Sequence, residues 1–108
     1  MLKILIAEDE ELIRKGIVLT VDWASLGCIV TAEAANGAEA LEMIEQHKPD
    51  LIITDLKMPV MDGIEMLEVL RKKGDQTPVI ILTAYDSFDY ARSALRLGAV
   101  DYLLKPFH

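Results

Sequence analysis

The chain has 108 residues, of which 52% are apolar, and its 18 acidic against 11 basic residues leave a net charge of −7. That length gives one small domain with a modest core, and the acidic balance repels nucleic-acid phosphates, so direct binding of DNA or RNA is not expected. The single cysteine, Cys28, cannot form an internal disulfide, which fits a reducing cytoplasm, and no apolar run suits a secretory signal or a membrane span.

Helical and strand patterns alternate along the chain. Ile4-Leu5-Ile6-Ala7 predicts a first strand that runs straight into Glu8-Asp9-Glu10-Glu11. Leu12, Ile13, Ile17 and Val21 then recur at helical spacing, with Arg14 and Lys15 on the opposite face. Asp22 to Gly27 breaks that period, and Cys28 to Ala34 reads as a second strand. Asn36 is a good N-cap for a helix through Ala40, Leu41 and Ile44, which Pro49 stops. The third strand, Leu51-Ile52-Ile53-Thr54-Asp55, delivers a carboxylate to its end. Met58-Pro59 and Asp62-Gly63 bracket a loop. Leu67 and Leu70 carry a helix that Gly74 can end in the left-handed conformation. Pro78 opens a fourth strand, Val79 to Leu82, ending at Thr83. Ser87 can cap a helix bearing Ala91, Ala94 and Leu95, which Gly98 can end. Tyr102-Leu103-Leu104 predicts a fifth strand ending at Lys105-Pro106.

Five strands alternating with four helices imply an α/β fold with a parallel sheet covered on both faces. Function in such sheets sits at the carboxyl ends of the strands, where Glu8, Asp9, Asp55, Thr83 and Lys105 all fall. Asp9 could simply cap the following helix. Acids gathered on one loop repel, however, by roughly 4 kcal/mol for two unit charges about 4 Å apart near a surface. A hard divalent cation removes that conflict, and Mg²⁺ favours one or two carboxylates plus waters and phosphate oxygens. Thr83 or Lys105 alone is ordinary, but a lysine beside carboxylates can pair with a phosphoryl oxygen as a point charge. Tyr102 is by default a core aromatic. Trp23, His47 and His108 have structural or solvated roles by the same default, and no His/Cys cluster supports zinc.

Glu8-Asp9, Asp55, Thr83-Ala84 and Lys105-Pro106, in this order over the whole chain, resemble the receiver domain of two-component response regulators. Met58-Pro59 and Asp62-Gly63 strengthen the likeness. Asp22-Trp23…Gly27 and Glu33-Ala34-Ala35-Asn36-Gly37 resemble receivers joined to AraC-type DNA-binding outputs. The resemblance implies a flavodoxin-like sheet of order 2-1-3-4-5, with residues 1–108 forming one receiver domain that stops after the fifth strand, short of a fifth helix. A neighbouring copy could then cover the face left bare, as a homodimer. It implies Asp55 as phosphoacceptor from a sensor histidine kinase, with Mg²⁺ held by Asp9, Asp55 and the Lys57 carbonyl, and by Glu8 through water. Lys105, the Thr83 hydroxyl and the Ala84 amide would bind the phosphoryl group, and Thr83 and Tyr102 would move as the switch. Such a domain catalyses only its own phosphorylation and dephosphorylation, and controls a transcriptional output outside this chain. The kinase would dock around Ile13, Arg14, Pro106 and Phe107.

Two other classes share part of this pattern. Phosphohydrolases with an aspartate nucleophile usually carry a second acid two residues on, where this chain has Lys57. An FMN binder of the same fold needs amides and hydroxyls in its first loop, where Glu8 to Glu11 would repel the phosphate. A receiver-like module without chemistry is disfavoured because no member of the site is missing.

Overall fold

A computed structural model describes residues 1–83, 88–99 and 101–104. Its elements in chain order are β1 (Leu2–Ala7), α1 (Glu11–Thr20), β2 (Cys28–Ala34), α2 (Gly37–His47), β3 (Leu51–Asp55), α3 (Gly63–Lys72), β4 (Val79–Thr83), α4 (Phe88–Arg96) and β5 (Asp101–Leu104). The five strands form one sheet of order β2-β1-β3-β4-β5, with every neighbouring pair parallel. The expected topology is therefore present, with no fifth helix among the described residues. A short 3-10 turn, Ala24–Leu26, precedes β2 and closes on Gly27 at φ 72°.

Period-two alternation sends successive side chains to opposite faces of the sheet. Leu5, Ala7, Ile52, Val79 and Ile81 face the larger core, which α2, α3 and α4 cover through Ala40, Ile44, Met66, Leu67, Leu70 and Ala94. Ile4, Ile6 and Ile53 face the other side, where Ile17 and Val18 of α1 pack with Trp23, Cys28 and Val30. Strand β2 contributes to both faces because its pairing with β1 slips one residue between Ile4 and Leu5, leaving Thr31 as the extra residue. Such a bulge re-aims the side chains beyond it. Cys28 and Val30 lie on the α1 face, Ala32 and Ala34 on the opposite face, and Glu33, beside Ile6, is left on the α1 face.

The first helix corrects the sequence reading. Leu12 is 89% exposed and Val21 lies at the surface, while Ile17 and Val18 pack inward. Arg14, expected on the outer face, is turned inward with its side chain 14% exposed. The inward stripe is therefore 14, 17 and 18. Its first turn lies over the polar edge of the sheet, where a long side chain with a charged tip suits the position better than leucine does.

Helix starts follow their caps. Asn36 accepts from the Glu39 N–H at 2.9 Å, and Asp62 with Glu65 forms a reciprocal capping box at α3. The second is a sequence signal, Asp-x-x-Glu, that the reading of Asp62-Gly63 as a simple loop passed over. Gly74 and Gly98 follow α3 and α4 at φ 81°, as helix-ending glycines should.

Candidate functional site

The register brings the strand ends to one edge. Ala7 pairs with Thr54, so Glu8 follows directly beside Asp55. Asp55 in turn pairs with Leu82, and Thr83 pairs with Leu104. Glu8, Asp9 and Asp55 come together: one carboxylate oxygen from each lies within 4.8 Å of the others. Glu8 is buried at 1% exposure, Asp55 is half-buried and Asp9 is open to solvent. The next helix is capped by Glu10, without a side-chain bond, so Asp9 is not its N-cap.

Several contacts fix these acids. The Leu56 N–H donates to Asp55 Oδ1 at 2.7 Å, orienting that carboxylate at the end of its strand. The Glu10 N–H donates to Glu8 Oε1 at 3.3 Å. The backbone of Glu8 is held on both sides, by its own N–H to the Ala34 carbonyl at 2.9 Å and by Arg14 Nη1 to its carbonyl at 2.7 Å.

The β3–α3 loop that follows Asp55 is held by close backbone approach. The Gly63 N–H donates to the Leu56 carbonyl at 2.8 Å, and the Gly37 N–H to the Met61 carbonyl at 2.8 Å. A Cβ on Gly63 would collide with the Asp55 carbonyl oxygen, and one on Gly37 would meet the Met61 carbonyl oxygen at 2.7 Å. Between them Val60 takes φ 67°, inside a three-residue turn closed by the Met61 N–H on the Pro59 carbonyl at 2.7 Å. A β-branched residue at positive φ is a strained choice, and here it leaves Val60 83% exposed.

The remaining expected residues are placed only in part. Lys57 follows Asp55 in the same loop. Thr83 and Tyr102 occupy neighbouring strands, with Tyr102 paired to Ile81, but their side chains are outside the described residues. Ala84, Ser87, Lys105, Pro106, Phe107 and His108 lie wholly outside them. Of the expected docking residues, Ile13 is at the surface, whereas Arg14 is committed inward.

One polar cluster next to the site went unnoticed in the sequence. Arg14 Nε donates to Glu33 at 3.1 Å, and Lys15 Nζ reaches the same carboxylate at 3.0 Å. Burial pushes the Glu33 carboxyl up, but the hydrogen bonds and charges of Lys15 and Arg14 outweigh it and hold the group below its ordinary value. A carboxyl depressed in the folded state adds stability above its unfolded pKa, and that stability is lost as pH falls through the folded value. Glu33→Gln should therefore show a shallower fall in melting temperature than the parent as pH drops below the ordinary glutamate range. Parallel slopes for the two proteins in that range would show that the cluster contributes nothing.

Three hard carboxylate oxygens at this spacing, one buried and one solvent-facing, suit a small divalent cation that retains water. They do not suit a soft metal.

Comparison with known proteins agrees with this geometry. Residues 4–108 match the response regulator receiver domain family. The chain is 41% identical over 106 residues to the transcriptional regulatory protein YesN of Bacillus subtilis, covering 98% of this chain and 29% of that protein. It is 38% identical over 106 residues to the transcriptional regulatory protein HptR of Staphylococcus aureus, covering 98% and 41%. The chain thus spans under half the length of these relatives. Among solved structures, the REC domain of AraT, a response regulator from Geobacillus stearothermophilus, superposes with a TM-score of 0.86 at 45% identity, covering 97% of this chain and 81% of that one. A chain of the CheX–CheY–BeF3–Mg²⁺ complex from Borrelia burgdorferi superposes with a TM-score of 0.88 at 28% identity, covering 99% and 80%. With the fold, the acidic edge and these matches in agreement, the chain belongs to the response regulator receiver domain family.

Proposed function

We propose that Asp55 accepts a phosphoryl group from the phosphohistidine of a sensor kinase, in a reaction that requires Mg²⁺. The observation that carries this reading is the meeting of Glu8, Asp9 and Asp55 within 4.8 Å at the carboxyl edge of the sheet. An Asp55 carboxylate oxygen attacks phosphorus. A P–O bond forms, the P–N bond of the donor breaks, and the imidazole leaves as it regains a proton. Asp9, Asp55 and the Lys57 carbonyl would hold the cation directly, and Glu8 through water. When bound, Mg²⁺ neutralises charge on the acids and on the phosphoryl oxygens. Lys105, the Thr83 hydroxyl and the Ala84 amide would receive those oxygens, which is the positioning that phosphoryl transfer chiefly needs. Thr83 and Tyr102, on adjacent strands, would then shift together as the two-state element that the phosphate biases.

The partners follow from the same reading. The relatives are longer transcriptional regulators, which supports an output domain linked to this one in the full protein. Its AraC type is carried by the likeness of Asp22-Trp23…Gly27 and Glu33 to Gly37 to receivers with such outputs, and action in the cytoplasm by the single Cys28. Among the described residues no helix is long and apolar enough to cross a membrane. The catalytic contribution of this chain is limited to its own phosphorylation and dephosphorylation.

Metal removal tests the proposal. Incubation with a small acyl phosphate and MgCl₂ should label the chain, and excess chelator should reduce labelling to background. Asp9→Asn should need a far higher Mg²⁺ concentration for the same rate. Labelling indifferent to chelator would overturn the cation's part in the reaction.

A further inference from the structure

Arg14 leaves α1 and reaches back over the first turn of its own helix. Its Nη1 donates to the Glu8 carbonyl at 2.7 Å and its Nε to Glu33 at 3.1 Å. The Glu8 carbonyl belongs to the peptide unit that joins Glu8 to Asp9, so this bond sets the plane from which both carboxylates project. Glu33 can brace the guanidinium only because the bulge at Thr31 turns it onto the α1 face, beside Ile6. Lys15 also reaches this carboxylate, at 3.0 Å from the exposed side of the helix, but Arg14 makes its bonds to Glu33 and to the Glu8 carbonyl directly. A planar guanidinium serves two partners at fixed angles, which an ammonium cannot do.

We infer that Arg14, braced by Glu33, is a positioning residue for the divalent-cation site: it orients the Glu8–Asp9 peptide and touches neither cation nor phosphoryl group itself. This rests on the reading of the three acids as a Mg²⁺ site. Groups that orient ligands in this way control metal affinity from one bond further out. The inference has a sign that separates it from two simpler ones. A cation near three acids lowers their affinity for Mg²⁺ through charge alone, so removing Arg14 would tighten binding if charge were its whole influence. If Arg14 only stabilised the fold, affinity would not change in the folded variant. Positioning requires that affinity fall.

The test is a titration of the intact chain with MgCl₂ alone, followed by the amide chemical shifts of Asp9 and Asp55, with a thermal melt for each variant. Arg14→Ala should raise the Kd about tenfold, in the range found when groups orienting metal ligands are removed, and Arg14→Lys should recover only part of that loss. Lys15→Ala removes the same charge from the same helix while leaving the Arg14–Glu8 bond, and should bind Mg²⁺ as tightly as the parent or more so. Should Arg14→Ala fail to fold, Arg14→Lys carries the test: it keeps the charge, so charge alone predicts an unchanged Kd, whereas loss of the fixed guanidinium geometry should raise it. An unchanged or tighter Kd in the folded Arg14 variants overturns the inference, as does equal weakening by Lys15→Ala. If the parent itself shows no Mg²⁺-dependent shift at Asp9 and Asp55, the site reading falls and this inference with it. Parent binding with an unaffected Arg14→Ala removes this inference alone.

Discussion

Asp55→Asn should bring phosphoryl uptake to background while leaving the protein folded. The carboxylate oxygen that would attack phosphorus is replaced by a carboxamide, which is a far poorer nucleophile at neutral pH. Shape is kept, because the carboxamide oxygen can accept from the Leu56 N–H as Asp55 Oδ1 does at 2.7 Å. One negative charge also leaves a cluster of three acids within 4.8 Å, so without cation the variant should melt no lower than its parent. Labelling with an acyl phosphate at saturating MgCl₂, read beside thermal melts, gives both quantities. Equal labelling of a folded variant and its parent would remove Asp55 from the reaction.

Two glycine-to-alanine changes should move stability in opposite directions. Gly63 begins α3 against the end of β3, and an added Cβ would run into the Asp55 carbonyl oxygen and also crowd Leu56 Cα at 3.4 Å. Both neighbours are backbone, so neither can rotate away, and accommodating the methyl must shift the loop that carries the site. Overpacking of this kind costs about 1–3 kcal/mol, and for Gly63→Ala the displacement should also slow phosphoryl uptake. Gly16 lies inside α1 with nothing within 4 Å of its would-be Cβ. There alanine removes only the entropic handicap of glycine in a helix and should add about 0.8–1 kcal/mol. Denaturant unfolding of the two variants measures the contrast. A Gly63→Ala protein as stable and as readily labelled as its parent would show that the close approach does not matter.

What was legible in the sequence is the part carried by strong local chemistry. The run Leu51 to Thr54 is apolar enough to be a central strand, and a carboxylate at its end stands out against it. Four such strand ends, once the strands are parallel neighbours, place Glu8 and Asp9 beside Asp55 without knowledge of any side-chain contact. Caps and stops at Asn36, Gly74 and Gly98 were legible because each has one dominant local cause. The orientation of α1 was not, since Leu12, Ile13, Ile17, Val18 and Leu19 spread apolar residues around the whole helix and periodicity cannot choose among its faces. The polar sheet edge makes that choice by drawing Arg14 inward. The Arg14–Glu33 pair also depends on a one-residue slip in β2, and nothing in Cys28 to Ala34 marks Thr31 as the extra residue. Gly63 was legible only as loop punctuation and Gly37 only as part of a family-like stretch, yet both meet backbone at close range, and that crowding becomes visible only after α2, β3 and α3 are assembled.

The most direct measurement locates the phosphoryl group itself. After reaction with acyl phosphate and MgCl₂, borohydride reduces an aspartyl phosphate to the corresponding alcohol, with release of phosphate, and peptide mass spectrometry then finds the altered residue. Phosphorylation of Asp55 should yield homoserine at position 55, formed only when Mg²⁺ was present during labelling. Reduction mapped to Asp9 or any other acid, with Asp55 recovered unchanged, would contradict it.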